Sequence, residues 1–272
     1  MDYLFISFDV PDDEQDLLIA ELYDIGFDSF EQEGDILKAY INEGLFNKDL
    51  LNTVFEKLSI SRDYKVEKLP ITNWNAAWES NFSPIIVEDK LVIRANFHEK
   101  VNQIKNEIVI TPQMSFGTGH HDTTYLTLKT MLGIDFTNQS VLDVGCGTGI
   151  LAIYAKMQNA IKVVGVDNDP WAFKNAQTNE KESNVSGINW IEGVLEDVPQ
   201  FKFDYVIANI NKNVIKQDIS NYYDYLKPGG NLFLSGFYLE DVHELNNLAY
   251  NLNLKILATN HQNDWAMLHF KK

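Results

Sequence analysis

Residues 141–152 constrain the fold of this 272-residue chain more than any other stretch. They read Val141-Leu142-Asp143-Val144-Gly145-Cys146-Gly147-Thr148-Gly149-Ile150-Leu151-Ala152. Four residues of buried-strand character run into three glycines at alternate positions, and an apolar run of helical character starts at once. Glycine adopts the left-handed backbone of so tight a turn without a Cβ penalty, and it lets a ligand approach the main chain closely. The stretch therefore predicts the strand–turn–helix corner of an open α/β sheet. Ligands of such sheets lie beyond the carboxyl ends of the strands.

The chain downstream of about residue 104 repeats this unit. Strands fit 141–144, 163–166, 189–192, 205–208, 232–235, 255–259 and 266–270. Helices fit 123–132, 149–157, 170–182, 214–226 and 240–250. Strands alternating with helices imply a mostly parallel sheet covered on both faces, here of seven strands. Pro170 stands at a helix start, and Pro228-Gly229-Gly230 follows a helix end, where each residue type belongs. The last two strands have no helix between them and are expected to form an antiparallel hairpin.

The first 68 residues have another texture. Strands at 3–8, 27–31, 36–41 and 62–68 and helices at 12–23 and 48–58 give the order β-α-β-β-α-β, that of a ferredoxin-like α+β domain. Asp12 and Asp13 are candidate N-cap residues and Gly26 a C-cap glycine. The expected division is 1–68, a ferredoxin-like domain; 69–103, a linker; and 104–272, the α/β domain. In the linker, Leu69-Pro70 breaks the pattern. Trp74 and Trp78 share one face of a short helix, best explained as packing between domains. A hairpin is expected around Glu88-Asp89.

Charge narrows the partners. The chain carries 39 acids against 22 lysines and arginines, a net charge of −17. Residues 1–60 hold 15 of those acids and only three bases. Such a surface repels phosphate backbones and suits a basic partner, although solubility alone also accounts for it. The single cysteine, Cys146, rules out an intramolecular disulfide and a cysteine zinc cage. That points to a reducing cytoplasm. No apolar run nears the roughly 18 residues that span a bilayer. Met1-Asp2-Tyr3 is acidic where a signal peptide is basic.

The glycine spacing decides among ligands. A dinucleotide turn needs G-x-G-x-x-G, but Ile150 stands at the third glycine position. The observed G-x-G-x-G with Asp143 two residues ahead resembles the turn of Rossmann-like S-adenosyl-L-methionine-dependent methyltransferases. Asp167 closes the second strand 22 residues after Gly145, where a carboxylate accepts from both ribose hydroxyls. Dinucleotide enzymes place an acid similarly, so Asp167 argues for a ribose rather than for methyl transfer. Its plainer reading is a helix cap at a strand end. A second glycine loop, Ser115-Phe116-Gly117-Thr118-Gly119-His120-His121-Asp122-Thr123-Thr124, leads into a helix. The N–H groups and threonine hydroxyls there suit a carboxylate, or serve only as an N-cap. His120, His121 and Asp122 are adjacent and cannot all converge on one ion, so no metal site is expected. The stretch Asp204-Tyr205-Val206-Ile207-Ala208-Asn209-Ile210-Asn211 ends the fourth strand, where the Asn209 amide holds a cofactor, accepts from an incoming amine, or merely turns the chain.

Together, Phe116-Gly117-Thr118-Gly119-His120-His121-Asp122-Thr123-Thr124, Ala208-Asn209-Ile210 and Leu234-Ser235-Gly236 resemble the ribosomal protein L11 methyltransferase family over essentially the whole chain. Thr111-Pro112-Gln113, Asp122 and Asn211-Lys212-Asn213 depart from its usual residues. The resemblance implies a substrate-recognition domain followed by a class I methyltransferase domain that uses S-adenosyl-L-methionine. It makes Thr124, Gly145, Asp167 and Asn209 the cofactor contacts, with Gly147 beside Gly145 in the turn. It implies methylation of lysine, and as a further acceptor the α-amine, of a basic large-subunit protein before or outside ribosome assembly. It implies no direct nucleic-acid or membrane partner. No residue is assigned as a general base, and His121 is a weaker candidate than Asn209 for orienting the amine. Two alternatives remain: a methyltransferase for glutamine amide or adenine amino nitrogens, and a binding module that kept the fold without activity. The first usually carries N-P-P-Y or D-P-P-Y where this chain has Asn209-Ile210-Asn211-Lys212.

Overall fold

The structure, a computed structural model, describes residues 3–58, 64–68, 82–112 and 115–272. The chain divides into two compact units, Met1–Asn81 and Phe82–Lys272. The tryptophan pair Trp74 and Trp78 lies outside the described residues.

Among its described residues, the first unit is a four-stranded antiparallel sheet with two helices. Its strands are β1 (Tyr3–Asp9), β2 (Ser29–Glu33), β3 (Ile36–Asn42) and β4 (Tyr64–Lys68), in the order β2-β3-β1-β4. Its helices are α1 (Asp12–Asp24) and α2 (Lys48–Leu58). Leu4, Ile6 and Phe8 alternate inward along β1 and meet Leu18 and Leu22 of α1 and Leu51, Val54 and Phe55 of α2. Period two on the strand and near 3.6 on the helices bury one common core. The capping expectation needs correction. Pro11 occupies the N-cap of α1 without a side-chain cap, and Asp12 and Asp13 are already in the first turn. There their charge complements the helix dipole instead of capping it.

The second unit holds two sheets. Strands β5 (Ile85–Val87) and β6 (Leu91–Ala95) form the hairpin expected in the linker, turning through Glu88 and Asp89 in left-handed conformation. They belong to a three-stranded sheet completed by β7 (Asn106–Ile110), which runs parallel to β6 and had no counterpart in the sequence reading. The large sheet has seven strands: β8 (Ser140–Val144), β9 (Lys162–Asp167), β10 (Ile188–Glu192), β11 (Phe203–Asn209), β12 (Leu226–Tyr238), β13 (Lys255–Gln262) and β14 (Trp265–Lys271). Their order is β10-β9-β8-β11-β12-β14-β13, and only β14 breaks the parallel run, pairing antiparallel with β12 and β13. All five residues of β8 are buried, as befits the centre of a sheet covered on both faces.

Helices α3 (Asp122–Met131), α4 (Ile150–Met157), α5 (Pro170–Glu182), α6 (Lys212–Tyr225) and α7 (Val242–Asn251) flank this sheet. Two apolar cores result. One includes Leu142, Val166, Ala208 and Ile215; the other includes Val141, Ile153, Ile207 and Phe233. Pro228-Gly229-Gly230, expected just after a helix end, follows α6 and lies inside β12. A register shift between Phe203 and Tyr205 of β11 absorbs the proline, and Gly229 and Gly230 bond to Lys272.

Helix α5 does more than cover the sheet. Among the described residues, the outer edge of β7 has no strand beside it. Ser183 Oγ accepts from Val109 N–H at 3.0 Å and donates to Val109 O at 3.0 Å. Asn179 Oδ1 accepts from Thr111 N–H at 2.8 Å, and Asn175 Nδ2 donates to Thr111 O at 2.9 Å. Spaced four apart, the three side chains present one polar stripe that satisfies the strand's main chain. Among the described residues, no helix is long and apolar enough to cross a membrane.

Candidate active site

A cavity of about 690 Å³ opens at the carboxyl ends of the parallel strands. Gly145 and Gly147 line it from the turn after β8, Asp167 from the end of β9, Val194 from beyond β10, and Asn209 from the end of β11. On its far side it reaches Gly236 of β12 and Trp265 of β14. Position and size suit a nucleoside-sized ligand.

Asp167 anchors the turn after β8. Its Oδ2 accepts from Gly147 N–H at 2.8 Å and its Oδ1 from Asp169 N–H at 3.0 Å. A carboxylate offers about four lone-pair sites, so two remain for a diol. Sequence reasoning proposed a ribose contact and missed the structural one: the acid fixes the glycine turn.

The three glycines differ in purpose. Gly147 has φ of +54°, and a Cβ there would lie 2.3 Å from the Phe116 carbonyl oxygen. That close approach docks the loop 115–119 on the turn, where Thr148 N–H donates to Phe116 O and Thr148 Oγ1 to Gly117 O, the latter at 2.6 Å. Gly149 does not line the cavity. A Cβ there would meet the Trp190 ring at 2.5 Å and Ala176 at 2.9 Å, and one on Gly165 would meet Trp190 at 2.4 Å. The third glycine of the motif serves an indole, not a ligand. Gly147→Ala combines a left-handed φ with a main-chain clash, so it is expected to lower stability by about 1–3 kcal/mol and to lift the loop off the turn. A drop in melting temperature together with weakened S-adenosyl-L-methionine binding by calorimetry would register both effects.

Asn209 and Thr124 meet. Asn209 Nδ2 donates to Thr124 Oγ1 at 3.2 Å. Asn209 and Ser115 both line the cavity, and Oδ1 of Asn209 and Oγ of Ser115 are buried without a hydrogen-bond partner. Thr124 is fully buried and stands behind Asn209 rather than on the wall. The Thr123 hydroxyl engages His121 Nδ1 at 2.8 Å, and His121 caps α3 by accepting from Thr123 N–H. Both threonine hydroxyls at this helix start are thus held within the protein.

The adjacent His120, His121 and Asp122 turn to separate partners. His120 meets Ser83 O and Thr118, while Asp122 binds Gln262 and Asn263. Beneath the turn, Asp143 accepts from Ala152 N–H at 3.1 Å and leaves Oδ1 unpaired. Burial pushes its carboxyl up to about 7, and burial likewise raises the neighbouring Cys146 thiol. A buried, protonated thiol is a packing group, not a nucleophile.

A family model for ribosomal protein L11 methyltransferases matches residues 12–272. The chain belongs to the ribosomal protein L11 methyltransferase family. A relative named ribosomal protein L11 methyltransferase from Porphyromonas gingivalis is 42% identical over 262 residues, covering 94% of this chain and 90% of its own. One of the same name from Bacteroides fragilis is 36% identical over 278 residues, covering 99% of each chain. A crystal structure of ribosomal protein L11 methylase from Lactobacillus delbrueckii subsp. bulgaricus has a TM-score of 0.65 at 23% identity. It covers 70% of this chain and 98% of that one, and supports the class I methyltransferase fold.

The residues present fit the family's methyl donor. Ser115 and Asn209, each carrying a buried oxygen without a partner, line a cavity that also offers the free lone pairs of Asp167 and a glycine turn without side chains. A ligand with a ribose at one end and an ammonium-bearing amino acid at the other suits the acceptors of Asp167 and Ser115.

Proposed function

We propose that this chain transfers a methyl group from S-adenosyl-L-methionine to lysine Nζ of ribosomal protein L11, with the α-amine of the same protein as a further acceptor. The reading rests on the buried, unpaired Oδ1 of Asn209, placed between the ribose-binding carboxylate and an aromatic wall. In this reading Asp167 takes the ribose hydroxyls, Gly145 and Gly147 let the ligand lie against the main chain, and Thr124 fixes the Asn209 amide.

When bound, S-adenosyl-L-methionine supplies a methyl group already activated on a sulfonium. The protein's work is alignment. An alkylamine has an ordinary pKa of about 10.4 and arrives as a cation that must lose its proton. Ile210, Gly236 and Trp265 around Asn209 are uncharged, and desolvation among them favours the neutral amine. Asn209 Oδ1 then accepts an N–H and points the nitrogen lone pair at the methyl carbon. An acceptor, rather than a base, is what a nucleophile that has already shed its proton requires.

The acidic first unit fits the docking of a basic protein, before or outside its assembly on RNA, in the cytoplasm. The deciding experiment incubates the chain with methyl-labelled S-adenosyl-L-methionine and RNA-free ribosomal proteins, then maps the label by mass spectrometry. Label on L11 lysines is the expected result. Label on a glutamine, on nucleic acid or on no protein at all would overturn the reading.

A further inference from the structure

Asp122 opens α3 and reaches far along the chain. Its Oδ1 accepts from Gln262 Nε2 at 2.7 Å and its Oδ2 from Asn263 Nδ2 at 2.8 Å. Gln262 ends β13 and Asn263 turns the chain with φ of +49°, two residues before Trp265 opens β14. On the other side, Leu239 N–H donates to Asp264 O at 2.7 Å. The hairpin turn is thus held from both flanks, and one flank is a single carboxylate binding two consecutive amides.

Trp265 is what this turn carries. Its ring stacks on Tyr238 at 4.3 Å and 29°, and meets His121 edge-on at 4.5 Å and 68°. His121 in turn packs on Phe116 at 5.2 Å. Trp265, His121 and Phe116 all line the cavity. The groups assigned to the methyl donor, Gly145, Gly147 and Asp167, follow β8 and end β9, and Asn209 at the end of β11 borders them. Gly236 and Trp265 line the remaining part over β12 and β14, and that part is left for the acceptor.

We propose that Asp122 is a positioning residue: by pinning Gln262 and Asn263 it holds the β13–β14 turn so that Trp265, braced by Tyr238 and His121, is the fixed aromatic wall along which the acceptor's aminoalkyl chain lies. The inference rests on the reading of the acceptor as an amine. An indole face suits such a chain twice over, by packing on its methylenes and by attracting its cationic head before deprotonation. Charged hydrogen bonds to two neighbouring side chains fix geometry better than either alone.

An acid in the first turn of a helix also favours that helix through its dipole, so the test must separate the clamp from helix stability. Asp122→Ala removes both effects, whereas Gln262→Ala with Asn263→Ala removes the clamp and leaves the acid. Each variant is expected to raise KM for ribosomal protein L11 by about 5–20-fold. In both, kcat and the dissociation constant for S-adenosyl-L-homocysteine should stay within about twofold, and the triple variant should be no worse than either. The indole N–H resonance of Trp265, assigned with Trp265→Phe, should move in both variants bound to S-adenosyl-L-homocysteine. An unmoved resonance, additive effects, or equal losses in kcat and ligand affinity would overturn the clamp. Failure to label L11 with the unaltered protein would instead overturn the acceptor reading, while the resonance and the ligand affinities would still judge the clamp.

Discussion

Calorimetric titration of the Asp167→Ala variant with S-adenosyl-L-methionine is expected to show binding weakened about 100-fold or more. In the proposed complex the carboxylate accepts from two ribose hydroxyls. Hydrogen bonds to a charged group contribute about 1.5–3 kcal/mol each, so losing the pair costs about 3 kcal/mol or more. The cost does not stop there, because Oδ2 of Asp167 also receives the Gly147 N–H. Without it the glycine turn loses the carboxylate that holds its Gly147 N–H, and the wall on which the ligand rests loosens. Asp167→Asn keeps the shape and one acceptor oxygen, and should fall between the two. A dissociation constant within threefold of the unaltered protein in the alanine variant would place the ribose elsewhere.

Removing residues 1–81 is expected to separate two properties. The unit from Phe82 onward contains both apolar cores of the large sheet and every residue lining the cavity. The truncated protein should therefore fold and bind S-adenosyl-L-methionine within about threefold of the full chain. Methylation of intact ribosomal protein L11 should drop by about 100-fold or more, because the removed unit holds the densest acid charge of the molecule, 15 acids and three bases in residues 1–60. Attraction of that kind is screened over about 8–10 Å at ordinary ionic strength. Raising salt should accordingly raise KM for the protein substrate in the full chain and leave the truncated form unaffected. Undiminished methylation by the truncated form would remove the docking role.

The corner at residues 141–152 was legible because one local constraint, a glycine turn between a buried strand and a helix, needs nothing from the rest of the chain. The same holds for Asp167, which closes the next strand. Other features depend on distant partners and leave no local trace. Strand β7 is five residues, Asn106-Glu107-Ile108-Val109-Ile110, with neither clean alternation nor a turn signal. Its partners are a strand before it and a helix more than sixty residues later. Asp122 meets Gln262 and Asn263 some 140 positions away. In the sequence it was only a residue out of pattern. Gly149 was read as part of a ligand turn, whereas the Trp190 ring that requires it sits on β10, two strands further along the chain than β8.

The polar stripe of α5 has an effect on colloidal behaviour as well as on architecture. An open strand margin is a template on which foreign chains grow, and proteins usually blunt it with charge, a bulge or a covering element. Here Asn175, Asn179 and Ser183 act as a surrogate neighbour, occupying donors and acceptors that an intruding peptide would otherwise claim. A helix that looks amphipathic in the wrong sense, with its hydrophilic side turned inward, thereby covers a margin on which other chains would otherwise pair.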